Sequence, residues 1–283
     1  MPDFNSRQSL LAVGPLMGLV FAAAAPGLTA EQGRATPDFS SGNTAWVLTN
    51  AEFIAVPGDP SPTRNDPAHP AIGNNAFRSS GAQPSFRVAD LANPNIKPWA
   101  KEIMKRENDK VLSGGMPFVA RSACMPAGVP AFMGFALVEP IYFLQTPKQV
   151  TMIFEGDAQV RRVYLDVPHS ANPKPTWYGE SVGLYEGDTL VVDTIGQNDK
   201  TFVDNYRTPH TEKLHVTERY KLIDDGKTLE VAIRVEDPDT FNAPWSAINR
   251  FRRIQRPMIE EACAENNTHL FDYHMPVANR PDF

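Results

Sequence analysis

Across residues 116–283, apolar and polar side chains alternate in short runs, and Gly, Asp or Pro stands at most of the joints. A period of two puts every other side chain on one face of an extended chain, so such runs read as half-buried strands. The pattern predicts strands over 141–146, 150–155, 160–166, 180–185, 189–195, 214–223, 228–237 and 247–254. No helical periodicity separates them. A meandering antiparallel sheet or closed barrel is therefore expected, not a parallel βαβ array.

Upstream, residues 31–96 are rich in Pro, Asn, Ser and Gly, with one weak strand-like piece over 45–55. This composition predicts an irregular wrapping arm. A helix is expected over 97–112, since Pro98 suits the first helical position and Ser113-Gly114-Gly115 suits the stop. A short final helix is expected over 257–265. The fold class that follows is mainly β: an antiparallel β-barrel with an irregular N-terminal arm and one or two short helices.

The hairpin over 214–237 can be read residue by residue. Asp225-Gly226 suits a two-residue turn, whose central positions need positive φ. That turn sets Lys221 opposite Glu230 and His215 opposite Glu236 on an outward face. The inward face then carries Leu214, Val216, Glu218, Tyr220 and Leu222, opposite Leu229, Val231, Ile233, Val235 and Asp237. Glu218 and Asp237 are the exceptions on that apolar face. An inward carboxylate must be paired, hydrogen-bonded or protonated. Alternation sends Arg219 outward, so Arg162 or a histidine is the expected partner of Glu218.

Residues 1–30 carry one basic residue, Arg7, then an apolar run from Leu10 to Ala25, then small residues at Leu28-Thr29-Ala30. These are the marks of an export signal cleaved after Ala30. Three segments result: a signal peptide over 1–30, an arm plus helix over 31–115, and a barrel domain over 116–283. Periplasmic or secreted localisation is expected. The two cysteines, Cys124 and Cys263, either pair in such a compartment or stay as buried thiols. The formal net charge is −6 with no long basic run, which argues against a nucleic-acid partner.

Three chemistries compete. Gly179-Glu180-Ser181-Val182-Gly183 matches the nucleophile elbow G-x-S-x-G, with Asp193 or Asp204 and then His210 following in triad order. The elbow needs a helix directly after the serine. Here Glu186-Gly187-Asp188 reads as a tight turn between two strands, which makes Ser181 a strand residue. A metal set is suggested by His210-x-Glu212-x-x-His215, but alternation turns His215 outward, and neither a metal nor another cofactor is expected. Acid–base chemistry needs only a few polar groups in a dry cavity. His210 and Glu218 are the candidate proton-transfer pair, with Arg162 or Arg219 steadying negative charge and His169 at the mouth. Trp177, Ser181, Tyr185, Arg219, Tyr220, Asp237 and Trp245 are candidate substrate contacts.

The run from Trp177 to Thr194, W-x-G-x-S-x-G-x-[WY]-E-G-D-T-L-V-V-[DE]-T, resembles the hallmark of a large family of exported bacterial proteins of unassigned function. So do Cys124-Met125-Pro126-Ala127-Gly128-Val129-Pro130, Gln145-Thr146-Pro147, Pro209-His210-Thr211-Glu212 with Glu218-Arg219, Asp237-Pro238 with Pro244-Trp245, and Cys263-Ala264-Glu265. The resemblance covers about residues 118–266. Tyr185 stands where Trp is usual, and Thr211 where Ser is usual. The resemblance implies an exported lipocalin- or calycin-like barrel without supplying a reaction. Lyases acting on aromatic dimers have a similar style, but none of their catalytic residues matches a position here.

The combined expectation is an exported small-molecule pocket protein. The first reading is a metal-free acid–base enzyme of lyase or isomerase type acting on an aromatic or lipophilic substrate. The alternatives are a non-catalytic carrier or sensor of a small lipophilic ligand, and a serine hydrolase using Ser181.

Overall fold

The computed structural model describes residues 36–50, 52–70, 87–115, 117, 124–134 and 139–262. The expected signal segment, Cys263, residues 71–86 of the arm and the C-terminal tail lie outside these residues.

The chain is mainly β. The strands are β1 (Thr44–Leu48), β2 (Ile54–Ala55), β3 (Ile141–Thr146), β4 (Gln149–Phe154), β5 (Gln159–Leu165), β6 (Glu180–Glu186), β7 (Thr189–Ile195), β8 (His215–Ile223), β9 (Thr228–Glu236) and β10 (Trp245–Gln255). Two helices accompany them among the described residues, α1 (Pro98–Leu112) and the single turn α2 (Ala131–Gly134). Pro98 opens α1 and Lys97 caps it in an extended conformation, as the sequence predicts. Residues 257–262 are not helical, so the described part of the expected final helix is absent.

The strands pair in the order β1-β3-β4-β5-β6-β7-β8-β9-β10, and β1 also pairs with β10, which closes a nine-strand barrel. The expectation of an antiparallel barrel holds at every joint but one: β5 and β6 run parallel. Their ladder has three pairs, Val163 with Ser181, Tyr164 with Val182 and Leu165 with Gly183. The arm is partly barrel wall. β1 and β2 both pair with β10, at Leu48 with Phe251 and at Ala55 with Ala247, so the weak strand 45–55 is one interrupted strand.

Period-two alternation puts the core inside. Val163 and Leu165 of β5, Leu190 and Val192 of β7, Val216 and Tyr220 of β8, and Leu229, Val231, Ile233 and Val235 of β9 are all buried. Hairpin β8–β9 has the register predicted from Asp225-Gly226, with Lys221 facing Glu230 and His215 facing Glu236. Both residues nevertheless bond to β7 or its turn. Lys221 pairs with Asp188 at 3.3 Å, and His215 Nε2 lies 2.5 Å from Asp193 Oδ1. Glu230 and Glu236 pair instead with Arg250 and Arg234. An outward residue of a central strand has neighbours on two sides, and a single hairpin reveals one of them.

Candidate functional site

One row of polar side chains crosses the barrel interior from β5 to β8. Arg161, Ser181, Thr194 and Glu218 project inward from four successive strands, and Tyr220 stands beside Glu218. Arg161 Nη2 donates to Glu218 Oε2 at 2.5 Å and to Thr194 Oγ1 at 2.9 Å. Tyr220 donates its hydroxyl to Glu218 Oε1 at 2.9 Å. Ser181 Oγ lies 3.3 Å from Arg161 Nε and 2.9 Å from Thr194 Oγ1. Both charged side chains of the pair are fully buried.

Burial penalises the Arg161 cation, but the charges of and hydrogen bonds to Glu218 and Tyr220 together outweigh that, and the guanidinium is held above its ordinary value. Burial and the Glu218 charge together push the Tyr220 phenol well above its own. Tyr220 is therefore a hydrogen-bond donor at neutral pH, and both Glu218 oxygens are occupied. The network is a neutral, fully bonded unit, the arrangement that makes a buried charge tolerable.

The sequence expectation named Arg162 as the partner of Glu218, and the structure corrects this. Arg162 faces outward from β5, while Arg161 shares the inward parity of Val163 and Leu165. Among the described residues no histidine bonds to Glu218 either. His210 is buried at another part of the barrel. Its Nε2 lies 2.8 Å from Thr201 Oγ1 and its Nδ1 lies 3.0 Å from the Thr211 carbonyl. Burial depresses its pKa below the ordinary value, so the ring is neutral. The expected His210–Glu218 pair is thus not assembled by hydrogen bonds.

The other candidates separate by role. Asp237 is buried and structural: it accepts from Thr211 N and Oγ1, from Asp239 N, and from Thr240 N and Oγ1, which fixes two loops. Trp245 is core, packed between Phe53 and Phe241. Tyr185 accepts a hydrogen bond from Gln145 Nε2 at 2.9 Å. Arg219 is exposed and pairs with Glu186 at 2.7 Å. Ser181 sits inside β6, which turns at Gly187 straight into β7, so no helix follows it.

His169 belongs to a second cluster, on the outer face. It lies on the crossover between β5 and β6, with Nδ1 2.9 Å from Glu180 Oε1 and Nε2 2.9 Å from Asp193 Oδ2. Ser170 adds two hydrogen bonds to Glu180, and His215 and Thr217 both reach Asp193. Among the described residues no group of three or more His, Cys, Asp or Glu is placed to hold a metal ion. In this chain of contacts both His169 nitrogens are already spent on carboxylates.

A cleft lies beside the buried row. Beyond the three-pair ladder β5 and β6 diverge, and a cleft of about 440 Å³ opens between β5 and residues 174–181. Arg161 and Ser181 form part of its lining, Trp177 and Tyr178 its aromatic side, and Arg162 and Lys174 its cationic side. Tyr178 is fixed by a 2.5 Å bond from its hydroxyl to Gln159 and by edge contact with Phe132. Gly179 is required where the wall bends: its φ is +65°, and a Cβ there would lie 2.4 Å from the Ile195 carbonyl oxygen.

Sequence reasoning chose Arg162 over Arg161 as the partner of Glu218, although the parity of Arg161 with Val163 was readable. It also passed over Glu155, a buried carboxylate that accepts from Tyr142 at 3.0 Å and pairs with Arg256. Glu155 lies just past the end of β4, where alternation gives no signal. Comparisons with family models, curated proteins and solved structures found no match to this chain.

Proposed function

We propose that the protein is a non-catalytic small-molecule-binding barrel, a carrier or sensor, whose aromatic or lipophilic ligand lodges in the cleft beside β5. The observation that carries this reading is the Arg161–Glu218–Tyr220 network. It is closed on itself, so it offers no free acid or base, and Arg161 and Ser181 form part of the cleft lining. Proton transfer would call for a carboxylate or imidazole with a free valence facing the cleft. Glu218 and His210, the two groups expected to supply it, are each hydrogen-bonded elsewhere. The volume falls in the range of ligand pockets, and a mostly pre-formed site with a few fixed polar groups suits binding.

Export is part of the proposal. Cys124 is disulfide-bonded, and such bonds persist in oxidising compartments. The chain has two cysteines, and Cys263 lies outside the described residues. Membership of the exported family that the Trp177–Thr194 run resembles is proposed on that motif.

The test is a titration with N-phenyl-1-naphthylamine, a neutral lipophilic fluorophore. Saturable binding near one site per chain is expected, weakened at least about fivefold by Trp177→Ala, since an aromatic contact and its buried area are lost. Absence of saturable binding, or binding indifferent to Trp177→Ala, defeats the reading.

A further inference from the structure

We infer that the cleft selects a planar aromatic anion, a ring carrying a carboxylate, sulfonate or similar group. This inference rests on the cleft being a ligand site and adds the charge of the ligand.

Three cations and one carboxylate line the cleft: Arg161, Arg162 and Lys174 against Glu180. Their charges are not equally available. The Arg161 charge is answered inside the barrel by Glu218 at 2.5 Å. Glu180 faces outward like Arg162, but both its oxygens are engaged, accepting from His169 and Ser170. Ser170 is the main cause of a Glu180 pKa below the ordinary value, so the carboxylate stays ionised and engaged there. Arg162 and Lys174 form no ion pair among the described residues. Two uncommitted cations thus sit together at one mouth of a chain whose formal net charge is −6. They attract an anion that the rest of the surface repels.

The ring follows from the opposite side. Trp177 is partly buried, and Tyr178 is pinned at its hydroxyl by Gln159, which leaves its ring as a fixed wall. A pre-positioned aromatic wall loses little freedom when a second ring lies against it. Aromatic wall and cationic rim lie on one cleft, so they address one molecule with an apolar ring and an anionic substituent. Arg161 and Ser181 lie behind these groups, buried in the wall that lines the cleft.

The test compares two probes that share one ring system, N-phenyl-1-naphthylamine, which is neutral, and 1-anilinonaphthalene-8-sulfonate, which is anionic. Both are titrated against the wild-type chain, Trp177→Ala, and the double variant Arg162→Gln with Lys174→Gln. The substituted cations are exposed, so the double variant keeps the fold. It should weaken the sulfonate about tenfold, as two partly screened charge contacts allow, and leave the neutral probe within about twofold. The sulfonate should also weaken in 1 M salt, where charges are screened beyond about 3 Å, while the neutral probe does not. Equal effects on both probes, or no effect on the sulfonate, overturn the anion inference while the cleft site stands. If Trp177→Ala leaves both probes unaffected, the cleft site itself is lost, and the inference with it.

Discussion

The inward carboxylate Glu218 shows what a single residue reveals before any coordinates exist. Alternation puts it on an apolar face, and the rule that buried charge needs company predicts a cationic partner. That much is legible. The identity of the partner is not read correctly, because choosing Arg161 over Arg162 requires applying the same parity to a strand three places away from β8 in the sheet. The energetic consequence is direct. Glu218→Gln leaves the buried Arg161 cation uncompensated and should destabilise the fold by about 3–5 kcal/mol, measured by urea denaturation. Adding Arg161→Met to that variant should restore a large part of the loss, because no charge is then stranded. A loss under about 1 kcal/mol for Glu218→Gln would show that the pair is not the closed unit described.

At the scale of elements, the hairpin β8–β9 is the part most fully written in the sequence. Asp225-Gly226 fixes the turn, and the turn fixes every pairing to His215 with Glu236. The ion pairs escape that logic, because β7 competes for the outward residues of β8. The winning contact predicts a pH dependence. The hydrogen bond to Asp193 is the main cause that raises the His215 pKa above 6.5. Burial pushes Asp193 upward, but the bonds from His215 and His169 outweigh it and hold the carboxyl below 3.8. A raised histidine stabilises fully below its unfolded value and loses that contribution as pH rises through its folded value. A lowered carboxyl stabilises above its unfolded value and loses that as pH falls through its folded value. The contact is therefore strongest between these two ranges, from above pH 4 to below 6.5. Both groups are more than a third exposed, so solvent screening limits the effect to less than about 1 kcal/mol. Stability curves of the wild type and His215→Asn should run together at high pH, diverge as pH falls through the raised folded value of His215, and be fully apart by about pH 6.5. Curves that stay parallel across this range would remove the pair from the stability balance. The other charges facing the cluster are Glu180, Glu236 and Arg234, the last two paired with each other.

For the whole molecule, closure depends on a strand that composition assigns to an irregular arm. Thr44–Leu48 completes the ring by bonding to β3 on one side and β10 on the other. Proline-rich flanks and an interruption at residues 49–53 dilute its alternation, so the sequence shows a weak strand and not its architectural role. Trp46 is its anchor: fully buried, with its indole N–H donating to the Phe39 carbonyl at 2.9 Å and Arg253 over the ring. Trp46→Ala should cost about 3–5 kcal/mol and expose two unsatisfied strand edges, giving a lower denaturation midpoint and a tendency to aggregate. A midpoint within error of the wild type would show that the ring stays closed without this anchor.

The single parallel joint has a further consequence, which is one of counting. Strand directions around a closed ring can alternate without fault only when the number of strands is even. This ring has nine, so at least one neighbouring pair must point the same way. A same-direction pair cannot be joined by a tight turn, since the chain must travel back along the wall before it re-enters. The return path here is the stretch 166–179, which carries His169, Lys174, Trp177 and Tyr178. The parity mismatch that the ninth strand forces on the wall is thus also what brings these side chains beside Arg161. An eight-strand relative of this ring, alternating throughout, would need neither the detour nor the opening that it frames.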